Sequence, residues 1–379
     1  MRILTVMNCP RGSASGMPRG NASLSRELRD QGAEVDHVYL EDYPRAVRAD
    51  PVNYPALGLF TPRLVRRMER ARGPYDVVQL SGGEAWIAPR LRHDVSGRRR
   101  LVVARSHGLE QAYWRAFMAE VRAGHTHANR RHRLYFGGLR LRQVAAASRL
   151  ADLDSMHTLS DANEVVRRHW KDSSAVTVIP SGVESAWLSE PLGPRSSRGR
   201  LLFSGSWTWM KGPWVLAAAF GELSRRRPGL RLRVIGTGVL ATEVLAAFPA
   251  EVRSAVDVAP PLAHDDVRAE MRIADVLLGT SMYEGFGTVV LEAMAAGLPV
   301  VASAVGAAPD FVNAATGELV AAGDVPGLVA AVERTLDRNP DADMRVRTAA
   351  RAAVGVLEWG RIASRTLEVY GAALASVRG

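Results

Sequence analysis

The chain has 379 residues, of which 47% are hydrophobic, enough to bury the cores of about two domains. Its single cysteine, Cys9, excludes an internal disulfide and a thiolate metal cluster. Residues 3–6 read as a short strand rather than as the apolar region of a signal peptide, and the longest weakly polar run, residues 289–309, is interrupted by Glu292 and Pro299. We therefore expect a cytoplasmic protein without a membrane span.

The formal net charge of +10 is unevenly distributed along the chain. Residues 1–190 carry 29 Lys and Arg against 20 Asp and Glu, whereas residues 191–379 carry 20 against 19. Residues 90–149 alone contain 14 arginines and three acidic residues. Such a basic surface favours an anionic membrane or an acidic or lipid-linked acceptor. Nucleic acid is not expected, because no helix-turn-helix, zinc-finger or RNP signature is present. A solvated arginine-rich surface without a partner explains the pattern equally well.

In the first half of the chain, short apolar segments alternate with longer amphipathic ones. A Gly-, Ser- and Pro-rich loop over residues 10–20 separates the first strand from a helix over about residues 21–31. The basic stretch 60–72 suits either a helix packed on the sheet or one that touches a membrane surface. The predicted strands of this half are residues 2–7, 34–40, 76–80, 101–106 and 176–179.

After a predicted linker over residues 191–199, strands and helices alternate more regularly. The predicted strands are 201–204, 231–236, 256–259, 274–279 and one that begins after Pro299, and the predicted helices are 213–226, most of 239–255, 264–274, 288–296 and 325–336. This alternation predicts a parallel sheet covered on both faces, and ligands bind such sheets at the carboxyl ends of the strands. We therefore predict two Rossmann-like domains, residues 1–190 and 191–360, separated by a cleft.

The stretch SMYEGFGTVVLEAMAAGLPVVAS at residues 281–303 carries the strongest functional signal. A buried strand enters it, residues 284–287 form a tight turn, and a helix follows from Thr288. The free amides at the start of that helix suit a phosphate. Glu284 and Glu292 flank this anion site, where carboxylates suit the hydroxyls of a ribose and a sugar. A packed βαβ unit with two solvated glutamates is the alternative interpretation.

Lysine is rare in this chain, which draws attention to Lys211. Only Lys171 and Lys211 are lysines among the 49 Lys and Arg residues. Lys211 lies in a Gly-flanked loop after a predicted strand, where a compact ammonium group can meet a diphosphate. A lysine retained by chance would look the same.

Together these motifs resemble the family 4 glycosyltransferases, retaining enzymes of the GT-B fold that use nucleotide-sugar donors. The pattern Glu284-x7-Glu292 is the most specific match. The other matches are FSGSWTWMKG at 203–212 for the donor-phosphate loop, VIPSGVE at 178–184, VIGTG at 234–238 and SHGLE at 106–110 for the histidine-bearing loop. The resemblance implies an α/β fold of the GT-B type, with two Rossmann-like domains whose parallel sheets face across a cleft. A helix over about residues 361–379 would complete the first domain.

The resemblance also implies roles for individual residues. Glu292 would hydrogen-bond the ribose hydroxyls of a nucleoside-diphosphate sugar, and Glu284 would hold hydroxyls of the transferred sugar. Lys211 and the amides of residues 285–288 would neutralise the departing diphosphate, so that neither a metal nor a cofactor is needed. His107 would lie near the reacting sugar, with a structural histidine at a strand end as the alternative. The implied catalytic residues are His107, Lys211 and Glu284, and the implied donor-binding residues are Gly16, Ser206, Lys211, Gly285, Phe286, Gly287, Thr288 and Glu292.

The chain departs from the family pattern at two positions. Ser206 stands where the family usually has an arginine, five positions before the loop lysine, and Ser181 replaces a usual asparagine. The first change removes one positive charge from the diphosphate site. Arg19 and Arg105 are the candidates to replace that charge.

The predicted function is therefore retaining, metal-independent transfer of a hexose-type sugar to an acceptor hydroxyl. Two alternatives stay open: another GT-B enzyme, such as a nucleotide-sugar epimerase or a phosphorylase, and a degenerate scaffold that binds a nucleotide without turnover. A dinucleotide oxidoreductase is disfavoured, because no GxGxxG motif follows the first strand. A metal site at His125, His127 and His132 is disfavoured, because the neighbouring arginines would repel a cation.

Overall fold

The computed structural model describes residues 1–12, 16–48, 54–193 and 199–379. The chain forms two compact units. The first unit comprises Met1–Met118, His127–Gly182 and Trp359–Gly379, and the second comprises Ala119–Thr126 and Val183–Glu358. Residues 194–198 of the predicted linker and residues 13–15 of the predicted first loop lie outside the described residues.

The first unit contains a six-stranded parallel sheet. Its strands are β1 (Arg2–Val6), β2 (Glu34–Val38), β3 (Val77–Ser81), β4 (Leu101–Arg105), β5 (Leu153–Met156) and β6 (Val176–Val178). They are arranged in the order β2-β1-β3-β4-β5-β6. The helices up to the end of this sheet are α1 (Gly16–Asp30), α2 (Arg45–Arg48), α3 (Tyr54–Arg72), α4 (Glu110–Ala123), α5 (Arg130–Leu134), α6 (Leu141–Leu150) and α7 (Leu159–Arg167).

The second unit repeats this architecture. Its strands are β7 (Arg200–Ser204), β8 (Arg231–Ile235), β9 (Val256–Val258), β10 (Val276–Gly279), β11 (Val300–Ser303) and β12 (Glu318–Val320), in the parallel order β12-β11-β10-β7-β8-β9. Its helices are α8 (Ser185–Leu188), α9 (Pro213–Arg226), α10 (Ala241–Ala246), α11 (His264–Ile273), α12 (Thr288–Ala296), α13 (Ala308–Phe311), α14 (Val325–Leu336) and α15 (Pro340–Gly355). The last helix, α16 (Trp359–Arg378), belongs to the first unit.

Burial of the strands explains why they could be predicted from their apolar residues. Every residue of β4 and β11 is buried, and β10 is buried except at its last glycine. The core of the second unit packs side chains of α9 and α14 against β7, β8 and β10, among them Phe203, Leu216, Phe220 and Val332. Parallel strands covered by helices on both faces have this near-continuous apolar pattern.

Several elements differ from the sequence-based prediction, which assigned no helix at α2, at α4 to α8 or at α15. Strands β5 and β12 were missed because β5 carries the polar Asp154 and Ser155, and β12 is only partly buried. Helix α1 begins at Gly16, inside the predicted loop over residues 10–20. The predicted helix over 239–255 is α10 followed by a 3-10 segment, Ala250–Ala255, because Pro249 interrupts it.

The stretch 60–72 is part of α3, and its apolar stripe faces the core of the first unit. Val65 is fully buried, and Leu64 and Met68 pack against the same core. The packed-helix interpretation is therefore the correct one for this stretch, and its apolar side chains are not available to a membrane. Among the described residues, no helix is long and apolar enough to cross a bilayer.

Candidate active site

The loop that carries Lys211 follows β7 and is held against the neighbouring strand. The amide of Gly205 donates to the carbonyl of Ile235 at 3.0 Å, and the amide of Trp207 donates to that of Thr237 at 2.8 Å. The loop ends at Gly212, whose φ is +60° and where a Cβ would lie 2.3 Å from the carbonyl oxygen of Thr280. Only glycine fits there, so the close approach of these two loops requires it.

The turn that carries Glu284 follows β10 and is tied to the Lys211 loop by hydrogen bonds. Thr280 Oγ1 donates to the carbonyl of Lys211 at 2.7 Å, and the amide of Met282 donates to that of Met210 at 2.7 Å. Because β7 and β10 are adjacent parallel strands, their carboxyl ends lie at the same edge of the sheet. The predicted convergence of Lys211 with the turn at 284–288 is therefore present in the second unit.

Lys211 and Glu284 form an ion pair at this edge. Lys211 Nζ contacts Glu284 Oε1, and each side chain is 18% exposed. Ser281 Oγ donates to the same carboxylate oxygen at 2.7 Å. One oxygen of Glu284 thus accepts both local donors. Sequence analysis placed both charged residues at the site but did not predict that they pair, and it assigned no role to Ser281.

The N-terminus of α12 provides the second group of donors. Gly287 caps this helix with a φ of +95°, and the helix starts at Thr288. The first amides of a helix have no intrahelical partner and carry the positive end of its dipole. Phe286 is buried, and its carbonyl accepts a hydrogen bond from the amide of Ala307 at 2.8 Å. The turn therefore presents backbone donors beside Lys211, which is the arrangement that binds phosphate.

Glu292 lies inside α12 and is mostly shielded from solvent. Its side chain is 11% exposed, and Oε1 lies 3.5 Å from Nε2 of His264, the first residue of α11. Sequence analysis predicted Glu292 as a binding residue and overlooked His264. The 27 residues between them give no local pattern from which this contact could be inferred.

The structure shows the surroundings of Ser206 and Gly16, two predicted donor-binding residues, and of the neighbouring Trp207. Ser206 Oγ lies 3.4 Å from Thr208 Oγ1, and Trp207 packs against the core residues Phe203 and Phe248. Gly16 is the first residue of α1 in the first unit, where a Cβ would meet no atom within 4 Å. Glycine is therefore not sterically required at that position.

His107 follows β4 in the first unit. Its ring contacts that of His157 edge-on, with centroids 4.9 Å apart. Burial, followed by the nearby charge of Arg105, lowers the pKa of His107 to about 3, so the imidazole is neutral at physiological pH. Arg105 itself is only 2% exposed.

Comparison with known proteins identifies the family. The model of "Glycosyl transferases group 1" matches residues 188–353. A glycogen synthase of Mycobacterium tuberculosis is 31% identical to this chain, over 100% of this chain and 96% of the relative. The chain belongs to the group 1 glycosyl transferases. A D-inositol 3-phosphate glycosyltransferase of Kineococcus radiotolerans is 35% identical over 60% of this chain and 58% of its own length.

Solved glycosyltransferase structures share the fold. Sucrose-phosphate synthase from Thermosynechococcus elongatus aligns with a TM-score of 0.77 at 20% identity, covering 99% of each chain. Anabaena HepE in complex with UDP and glucose aligns with a TM-score of 0.67 at 15% identity, covering 98% of this chain and 100% of that one. The predicted GT-B fold with two parallel sheets is thereby confirmed, as is the resemblance to nucleotide-sugar glycosyltransferases.

In this glycosyltransferase, a buried ion cluster lies beside the His107 loop. Arg140 Nη1 donates to Glu84 Oε1 at 2.8 Å, and Nη2 donates to Glu110 Oε1 at 2.7 Å. The Glu84 side chain is 1% exposed and that of Arg140 8%. Glu110 belongs to the predicted SHGLE motif. Arg140 lies 30 positions after Glu110 and Glu84 lies 26 positions before it, so the cluster could not be inferred from the local sequence.

The structure also resolves where the arginines of residues 90–149 lie. Several pair with acidic side chains: Arg99 with Asp152, Arg115 with Glu164, and Arg98 with both Asp76 and Asp94. Besides Arg90, Arg98 and Arg115, the exposed ones are Arg122 in α4 and, after it, Arg130, Arg131, Arg133, Arg142 and Arg149. Residues 121–151 contain no Asp or Glu. The basic surface of this glycosyltransferase is therefore narrower than the sequence count suggested.

Proposed function

We propose that this glycosyltransferase moves a sugar from a nucleoside diphosphate to an acceptor hydroxyl, with retention of anomeric configuration and without a metal ion. The observation that carries the proposal is the convergence of Lys211, Glu284 and the α12 N-terminus at one edge of the second sheet. An ammonium group and free amides suit a diphosphate, and a carboxylate beside them suits sugar hydroxyls. HepE, whose structures contain UDP and UDP-glucose, supports a nucleotide-sugar donor.

The proposed roles follow from the chemistry of bond cleavage. The bond between the anomeric carbon and the diphosphate oxygen breaks, and the leaving oxygen keeps the electron pair. Lys211 and the amides of residues 285–288 stabilise the negative charge that develops there. The acceptor oxygen bonds to the same face of the anomeric carbon, and its proton passes to the departing diphosphate. Glu284, held by Ser281, orients sugar hydroxyls throughout.

Donor binding must rearrange the Lys211–Glu284 pair. Lys211 contacts Glu284 in the structure, and in the proposed complex its ammonium group faces the diphosphate. The incoming diphosphate becomes the partner of Lys211, and the sugar hydroxyls become the partners of Glu284. Neither charge is then left without a partner. We further propose that the neutral His107 contacts the transferred sugar. The support for this role is the match of residues 106–110 to the SHGLE motif.

Replacement of Glu292 by alanine tests the donor site. The change should raise the donor KM about 10- to 100-fold with a smaller effect on kcat, because hydrogen bonds to a carboxylate contribute roughly 1.5–3 kcal/mol each. Initial rates with UDP-, GDP- and ADP-glucose measure the effect. Glu318→Ala in β12, whose side chain pairs with Arg334 and Arg338, is the matched control. A donor KM unchanged by Glu292→Ala would contradict the proposed role.

The same assay tests the reaction itself. Retention predicts that NMR of the product shows the anomeric configuration of the donor, and metal independence predicts full activity in excess EDTA. Product from the donor alone would instead indicate an epimerase, and a requirement for free phosphate would indicate a phosphorylase. Binding of a nucleoside diphosphate without turnover with any acceptor would indicate a degenerate scaffold.

We propose an acidic or lipid-linked acceptor, presented at an anionic membrane surface in the cytoplasm. The support is the acid-free stretch 127–151 of the first unit, with exposed arginines next to Leu134, which is 77% exposed, and Leu139, which is 53% exposed.

Vesicle binding tests this surface. The protein should sediment with phosphatidylglycerol vesicles at low salt but not with phosphatidylcholine vesicles, because roughly 1 kcal/mol per arginine is expected near an anionic surface. The double variant Arg130→Ser/Arg133→Ser should lose most of this binding. Arg225→Ser/Arg226→Ser in α9 removes the same charge from the second unit and should retain it. Equal loss in both variants would contradict the proposed surface.

A further inference from the structure

His264 lies against the carboxylate that the proposed function assigns to the ribose. Its Nε2 is buried, forms no hydrogen bond with any described residue, and lies 3.5 Å from Glu292 Oε1. The His264 side chain as a whole is 29% exposed. The ring nitrogen, rather than the ring as a whole, is therefore the part directed at Glu292.

Packing holds the imidazole in this position. The indole of Trp187, in α8, meets the His264 ring edge-on at a centroid distance of 5.3 Å and an interplanar angle of 68°. Trp187 is 2% exposed. A fully buried aromatic ring has little freedom to move. The position of His264 is thus set by two neighbours, Trp187 on one side and Glu292 on the other.

A separation of 3.5 Å lies just beyond a good N–H···O hydrogen bond, whose usual length is 2.7–3.2 Å. A shift of about half an ångström would complete the bond, and a buried ring nitrogen without a partner favours that shift. Completing it would occupy one lone pair of Glu292 Oε1 and fix the carboxylate plane. Oε2 would then be oriented to accept hydrogen bonds from neighbouring hydroxyls of a ligand.

We propose that His264 is a positioning residue that orients Glu292 to hold the 2′,3′-diol of a ribonucleotide donor. The proposal rests on the proposed function, since it takes Glu292 as the ribose-binding group. A ring that carries its proton on Nε2 donates to Glu292 Oε1 whether or not Nδ1 is also protonated. His264 thereby contributes to discrimination between ribonucleotides and their dideoxy analogues without touching the sugar.

The test compares two ligands that differ only in the diol. Calorimetry with UDP and 2′,3′-dideoxy-UDP is carried out on the full-length protein and on His264→Leu and His264→Gln. His264→Leu should weaken UDP binding about tenfold, a change typical of losing one hydrogen bond to a charged group, and should leave dideoxy-UDP binding unchanged. His264→Gln should retain most UDP affinity, because its amide can donate in place of Nε2. In turnover assays His264→Leu should raise the donor KM and leave kcat within about twofold.

Two outcomes would overturn the inference while leaving the proposed function in place. One is wild-type UDP affinity in His264→Leu. The other is an equal loss for UDP and dideoxy-UDP, which indicates a disturbed fold rather than a misdirected carboxylate. If UDP does not bind the wild-type protein, ADP or GDP and the matching dideoxy analogue take its place. Failure of the wild-type protein to bind all three ribonucleoside diphosphates would instead contradict the proposed function, and the inference with it.

Discussion

Replacing Lys211 by alanine is expected to lower kcat by about 10²- to 10³-fold, the loss typical when one preorganised donor to a developing negative charge is removed. Lys211 is the cation that contacts Glu284 at the carboxyl edge of the second sheet, and Ser206 stands where the resemblance noted from the sequence implies an arginine. The site therefore depends more heavily on the ammonium group of Lys211 than a site that also has an arginine. The change should be visible in kcat at saturating donor, because charge on the diphosphate oxygen grows as the bond breaks.

The second lysine of the chain is the control for this experiment. Lys171 lies in the first unit, where Nζ donates to the carbonyl of Ala151. Lys171→Ala should leave kcat unchanged within about twofold, since this side chain has no proposed role in transfer. Thermal unfolding of both variants checks that the folds are intact. Lys211→Ala turning over at the wild-type rate would show that the diphosphate is stabilised by other groups.

Replacing Arg140 by leucine is expected to destabilise the first unit by about 3–5 kcal/mol, the usual effect of removing one partner from a buried ion pair. The change would leave Glu84, which is 1% exposed, and Glu110 without the guanidinium that bridges them. Burial already raises the pKa of Glu84 despite the nearby Arg140 charge. Protonation of Glu84 would relieve part of the penalty, so the loss of stability should be greater at pH 8 than at pH 5.

Hydrogen exchange of the β4 amides measures this effect, since β4 is wholly buried in the first unit and exchanges through global opening. Arg142→Leu is the matched control, because Arg142 is exposed and lies two positions further along the same helical segment. That variant should change stability by less than about 0.5 kcal/mol. A destabilisation below about 1 kcal/mol in Arg140→Leu would mean that the two carboxylates are stabilised without it.

Much of the fold could be predicted because it depends on local patterns. Strands such as β4 and β10 are short apolar runs, and helices such as α9 and α12 begin at Pro213 and after Gly287, which are recognisable start signals. Strand β5 was missed because its Asp154 and Ser155 are buried polar residues, whose cost is offset by contacts from elsewhere in the chain. Ser148 Oγ, for example, donates to Asp154.

The candidate donor site was as predictable as the fold, because its residues also lie in local patterns. Glu284, Glu292 and the turn between Gly285 and Thr288 lie within nine residues, so their spacing alone places them at one helix start. Lys211 could be added because both loops follow strands of a parallel sheet, and the structure confirms that they meet. The roles proposed for these residues stay predictions, as do those of His107 and Gly16 in the first unit.

The sequence by itself determined the alternation of strands and helices, the parallel character of both sheets and the tight turn before α12, since each depends on residues close together along the chain. Only the tertiary structure decided which charges meet. Glu284 pairs with Lys211 across 73 positions, Arg140 bridges Glu84 and Glu110, and His264 reaches Glu292. The reason is physical: periodicity records which face of an element is buried, whereas a side-chain pair depends on the packing of elements that the sequence separates.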